Sequence, residues 1–160
     1  MTIDATIAGA TSDSYMTTVE ALAYHGARLH NDEWSDASGT EREKALKWAT
    51  RLLDNLNWMG RQWDDIQALR WPRIEVPDRE GSFWDFDEIP VWLKNAQAEL
   101  AWLLLISDPT REAGTKGFHM IKVGPITMQI NPDDRSMTIY QSVLDMVNPY
   151  VLQGTVMLRG

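Results

Sequence analysis

Apolar residues recur at intervals of three and four in several stretches of the chain, a period that predicts a mainly α fold. In the first stretch Val19, Leu22, Ala23, Gly26, Leu29 and His30 fall on one face. Thr17 and Glu20 have capping-box spacing at its start, and the helix is expected to end near Asn31. In the second, Ala45, Trp48, Ala49, Leu52, Leu53 and Leu56 form the buried stripe, with Glu41, Arg42, Lys44, Lys47 and Arg51 on the other side. Two overlapping capping boxes can open it, Ser38 with Glu41 or Thr40 with Glu43. A third helix is expected over residues 90–106, because Pro90 suits a first helical position and the carboxylates of Asp87 and Glu88 suit a helix N-terminus. Residues 100–106 are apolar all round and must be enclosed by other elements or by another subunit; Asp108 and Pro109 end the run. Ile139, Val143, Leu144 and Val147 give a short last helix before Asn148 and Pro149.

The intervening segments lack that period. Residues 1–13 are small and polar and are expected to form a flexible arm, and 32–39 read as a loop. Residues 57–89 are broken by Gly60, Pro72, Pro77 and Gly81 into a long loop with one helical turn near 64–69, and a loop of this length is usually functional. Beyond a polar crossing at 109–119, Ile126, Met128 and Ile130 alternate with Thr127 and Gln129, which predicts a strand or extended arm after a turn at Gly124 and Pro125. The chain therefore divides into an arm (1–13), a helical domain (14–108), an extended or short β segment (109–136), a C-terminal helix (137–152) and a tail (153–160). The fold class is a small helical bundle with long loops, a short extended or β arm and a C-terminal tail.

Composition narrows the function. The net charge of −8 repels phosphate backbones on average, which places a charge-driven nucleic-acid binder at a disadvantage. The absence of cysteine excludes disulfides and thiolate zinc sites. Residues 1–10 lack the basic and apolar blocks of a secretory signal, so the mature protein is expected to start near Met1, and no apolar run approaches the roughly 20 residues of a membrane span. Eight tryptophans, against three Phe and four Tyr, imply a Trp-heavy core with some rings left for interfaces.

No constellation of reactive residues stands out. His25 and His30 are five apart and do not align on one helix face, and the carboxylate pairs at Asp64-Asp65, Asp85 with Asp87-Glu88, and Asp133-Asp134 lack calcium-loop spacing. Gly114-Thr115-Lys116 lacks the first Gly and the preceding strand of a phosphate loop. The expectation is a protein without catalytic residues, metal or cofactor.

The strings Ala45-Leu46-Lys47-Trp48-Ala49-Thr50, Leu53-Asp54, Gly60 and Gln67-Ala68-Leu69-Arg70-Trp71-Pro72-Arg73 resemble a family of phage neck proteins, the head-tail connectors, catalogued in part as DnaT-like single-stranded-DNA-binding proteins. The resemblance extends over roughly residues 14–152 and is most specific in Gln67, Leu69, Trp71, Pro72 and Arg73. It implies a structural adaptor in the neck of a tailed-bacteriophage virion, assembled in the host cytoplasm as a homo-oligomeric ring, a dodecamer, on the portal. Portal protein, tail or tail-completion proteins and copies of itself are then the partners, with genomic DNA passing through without specific binding. Thr155, Val156, Met157, Leu158 and Arg159 are the expected portal-docking segment, adding a strand to the portal. The motif residues Gln67, Leu69, Trp71, Pro72 and Arg73 serve as core or as a subunit contact. Pro72 holds Trp71 on an extended segment, with the ring expected to plug the bundle ahead of meeting a partner directly, while Arg70 and Arg73 pair with carboxylates or stack on a ring. The alternative function is a single-stranded-DNA-binding module that uses exposed tryptophans as stacking platforms.

Overall fold

A computed structural model describes residues 2–107, 120–123, 126–129 and 141–152. The fold is mainly helical: α1 (Thr18–Gly26), α2 (Asp32–Asp36), α3 (Gly39–Asp54), α4 (Val91–Ile106) and α5 (Gln141–Val147), the last followed by a 3-10 turn, Asn148–Tyr150. Two antiparallel pairs accompany them, β1 (Arg61–Gln62) with β2 (Arg73–Ile74) and β3 (Met120–Val123) with β4 (Ile126–Gln129). The expected strand at 126–129 is thus present, and its partner β3 lies in a stretch whose sequence has no clear period of two. The expected portal-docking residues 155–159 lie outside the described residues.

Helix α4 is the hub, packing on α3 above all and also on α1, α2 and α5. Its buried residues, Leu93, Ala96, Ala98, Leu100 and Ala101, share one core with Leu46, Ala49 and Leu53 of α3 and Val143 and Val147 of α5. The small side chains at 96, 98 and 101 let neighbouring helices approach closely. Within this core Gln97 is fully buried and its amide nitrogen donates to the hydroxyls of Ser14 (2.7 Å) and Thr50 (3.0 Å), tying the N-terminal segment to both central helices. The apolar end of α4 is only partly enclosed, from half-buried Trp102 to exposed Ile106.

Three local expectations change. Helix α1 opens on the Thr17 capping box but stops at Gly26, and it buries Ala21 and His25 while Val19, Leu22 and Leu29 face solvent. The turn of the helix is set by two side chains clamped to α4, since Lys94 pairs with Glu20 (2.6 Å) and Arg28 with Glu99 (2.9 Å). Residues 32–36 form α2 because Trp34 needs cover: it stacks on His25 at 4.1 Å and is 2% exposed. Residues 2–13, within the arm expected to be flexible, fold on themselves around Asp4, whose carboxylate accepts from Thr6 and Thr11 and whose carbonyl accepts from Asp13 and from Ser14 just beyond. Short polar side chains bonding nearby backbone leave no periodic trace in a sequence. For α3 the Ser38–Glu41 box is the one used.

The long segment after α3 is ordered by the Gln-x-Leu-x-Trp-Pro-Arg string. The helical turn expected at 64–69 is reduced to one hydrogen-bonded turn at 65–66, the Gln67 N–H on the Asp64 carbonyl (3.4 Å). The Gln67 side-chain amide donates to the carbonyls of Leu69 (2.7 Å) and Pro72 (3.1 Å) and accepts from the Asp64 N–H (3.0 Å). The Arg73 guanidinium is bound by the carbonyls of Met59, Gly60 and Arg70 at 2.6 to 3.0 Å, so it serves backbone groups where a carboxylate or ring was expected. Gly60 must be glycine: its φ is +66°, and a Cβ would lie 2.2 Å from the Ile74 carbonyl oxygen. Trp71, 1% exposed, meets Trp58 and Trp92 edge to face, and Trp92 stacks on Tyr150 at 4.1 Å. This aromatic cluster joins the loop, the start of α4 and the chain after α5, where the Met59 N–H donates to Tyr150 and the Leu152 N–H to Asn57.

Candidate nucleic-acid interface

Among the described residues no helix is long and apolar enough to cross a membrane, and no group of three or more His, Asp or Glu is placed to hold a metal. Among the described residues, exposed aromatic rings stand in two places. Their charges separate them.

The first is on α3. Lys44, Trp48, Arg51 and Asn55 follow at intervals of four, three and four, so they share one face, and all are exposed. Trp48 was placed in the buried stripe by the helical period, yet it is 42% exposed, because Leu46 and Thr50 turn into the core on the other side of it. From Lys44 to Asn55 the row runs about 16 Å. Among the described residues Lys44 and Arg51 make no ion pair, whereas Lys47, one position off the row, is engaged by Asp13 at 2.5 Å. Glu41, in line at the N-terminal end, is turned back on to Ser38, where hydrogen bonds hold its carboxyl below the usual range.

The row leads into an open pocket of about 390 Å³ at the C-terminal end of α3, lined by Asp54, Asn55, Asn57, Trp58, Arg70 and Arg73 together with Leu56 and Leu152. Arg70 is exposed and its backbone N–H donates to Asp54 Oδ1 (3.2 Å), an atom that also accepts from the Tyr15 hydroxyl. Burial raises the Asp54 carboxyl above its ordinary value against the opposing pull of those hydrogen bonds, and burial raises the Tyr15 hydroxyl strongly. Arg70 and Arg73, distant in sequence from the basic residues of α3, are thus brought to the C-terminal end of that helix. Nothing in their spacing along the chain announces this.

The second place is the pair Trp63 and Phe86, with ring centroids 5.7 Å apart and exposures of 41% and 50%, near exposed Phe83. Exposed Asp65, Asp85, Asp87 and Glu88 adjoin these rings in sequence, and Arg61 is paired with Glu75. A phosphate backbone is repelled there.

The sequence model of the family described as "Putative DnaT-like ssDNA binding protein" matches residues 1–159. The chain belongs to this family. No curated protein and no solved structure matches it. Membership corrects the resemblance to head-tail connectors, since the match covers the whole chain and names single-stranded DNA binding instead. The structural adaptor, the portal-bound dodecameric ring, and the portal and tail proteins as partners fall with it. DNA changes from something that passes without specific binding to the ligand that the family description names. The physical reason for the error lies in the net charge of −8, an average over the surface that hides a local cationic row. Of the string that carried the resemblance, Gln67, Trp71, Pro72 and Arg73 are buried and Leu69 is half-buried, so those five residues build the scaffold under the pocket.

Proposed function

We propose that the protein is a non-catalytic single-stranded-DNA-binding module whose strand lies along α3, with a base stacked on Trp48 and phosphates held by Lys44, Arg51 and Arg70. The observation that carries this reading is the exposed ring of Trp48 set between two cations that make no ion pair among the described residues, in a chain whose family is described by single-stranded DNA binding. Stacking on an exposed ring suits any base, and a narrow row of cations along one helix face follows a flexible strand better than a rigid duplex. The acidic remainder of the surface limits the contact to this track and keeps the strand from wrapping the whole domain.

Two numbers follow. Three phosphate contacts give a slope of log affinity against log salt near −2 for a single strand. Removing the ring in Trp48→Ala costs about 1 to 3 kcal/mol of binding, a loss of about 5- to 150-fold, with the melting temperature nearly unchanged because the ring is exposed. Fluorescence anisotropy of a labelled oligonucleotide against salt concentration measures both. Equal affinity of Trp48→Ala and wild type would remove the stacking role, and a slope near zero would remove the phosphate contacts.

A further inference from the structure

We infer that the pocket at the C-terminal end of α3 is a base-reading subsite, which takes one base carrying an exocyclic amine and places that amine on Asp54 Oδ2. The inference rests on the strand path proposed above, because the pocket opens where the α3 row ends, Asn55 belonging to both.

The two oxygens of Asp54 differ. Oδ1 is saturated by the Tyr15 hydroxyl and the Arg70 N–H, whereas Oδ2 accepts no hydrogen bond from the described residues, and the side chain lines the pocket. A half-buried carboxylate with one free oxygen gains from a donor. Because Tyr15 and the Arg70 backbone fix the other oxygen, the free one is held in place before a ligand arrives. The Arg73 guanidinium behind it is already committed to three carbonyls, so it supports the wall without competing for Oδ2. Trp58 is held by its indole N–H on the Leu53 carbonyl (3.1 Å), and with Leu56 and Leu152 it gives the pocket an apolar side for a base face.

The rest of the lining selects the kind of base. The α3 carbonyl end adds partial negative charge, which favours donors over acceptors at this point. Cytosine presents its N4 amine and adenine its N6 amine, and both suit a carboxylate, whereas uracil and thymine present a carbonyl oxygen at the corresponding position and are repelled. Asn55 and Asn57 can each donate and accept, so they add contacts to the remaining edge without reversing the choice. Arg70, exposed at the rim, takes the phosphate of the same nucleotide.

Oligodeoxycytidine and oligodeoxyuridine of equal length make the test, since they differ in the group at C4 and stack to a similar degree. The wild type is expected to bind the cytidine strand about tenfold tighter, the worth of one hydrogen bond to a charged group. Asp54→Asn keeps an oxygen for Tyr15 and Arg70 but turns the free acceptor into a donor, so the preference should vanish or invert while uridine binding is retained. Asn57→Ala, at an exposed position, should reduce cytidine affinity several-fold should Asp54→Asn fail to fold. Equal wild-type binding of both strands, with Trp48 still required, would overturn the subsite and leave the strand path standing. If neither strand binds, deoxycytidine monophosphate followed by nuclear magnetic resonance separates the two ideas: a perturbed Trp58 indole that is silent to deoxyuridine monophosphate supports the subsite alone, and no response to either overturns it.

Discussion

Trp71→Ala is expected to lower unfolding stability by about 3 to 5 kcal/mol, the usual cost of truncating a large ring in a packed core. The ring is 1% exposed and touches Trp58 and Trp92 edge to face, so its removal opens a void at the junction of the long loop, α4 and the chain after α5. Collapse of the surroundings is restricted, because Gln67 and Arg73 hold the loop backbone on either side through hydrogen bonds that the substitution leaves in place. Trp58, one of its neighbours, also lines the pocket, so the damage should reach the candidate subsite. Urea unfolding followed by helical circular dichroism measures the change as a shifted midpoint with the slope preserved. A loss below about 1 kcal/mol would mean that the ring is not a core plug.

The second large effect is on pH. His25 is fully buried against Trp34, its two ring nitrogens have no hydrogen-bond partner, and desolvation lowers its pKa from 6.5 to about 4. Glu99 and the Ala98 backbone favour the charged ring, Arg28 and Arg42 oppose it, and burial dominates. The native state therefore holds His25 neutral where the unfolded chain protonates it. Between pH 6.5 and about 4 the unfolded state binds more protons, so stability falls as pH falls through that window and is fully present above it. From pH 7 to pH 5 the loss is about 2 kcal/mol from this residue. His25→Phe keeps a ring to stack on Trp34 and removes the titrating group, so the difference between its profile and that of the wild type isolates the contribution. Parallel profiles over pH 5 to 7 would show that His25 is not held neutral by burial.

Much of the scaffold was legible in the sequence, and the reasons differ by element. The apolar stripe of α3 and the apolar run of α4 bury against each other, and the period of 3.6 reports that kind of burial directly. Helix α1 misleads because its stripe at Val19, Leu22 and Leu29 has the right period on the wrong face; two long-range ion pairs, invisible to periodicity, decide which side turns inward. Trp48 misleads similarly, as an apolar residue counted towards the core that stands in solvent. The site was legible only in fragments. Its cations fall in two stretches about 20 residues apart in sequence, and what brings Arg70 beside the end of α3 is the loop that Gln67 and Arg73 fold back. Asp54 stands in one of the strings that carry the resemblance but gives no sign of a site there, since a carboxylate late in a helix reads as a surface residue until Tyr15 and the Arg70 backbone are seen to claim one of its oxygens.

The most direct test of the strand path follows the indole N–H resonances of the eight tryptophans while an oligodeoxythymidine is titrated in at low salt. Thymine is chosen so that stacking is read without the amine contact. The Trp48 resonance should move or broaden in proportion to occupancy and return on adding salt, while Trp63, beside Phe86 on the acidic face, stays in place. Perturbation centred on Trp63 with Trp48 unchanged would put the strand on the opposite kind of surface and contradict the assignment of α3 as the binding track.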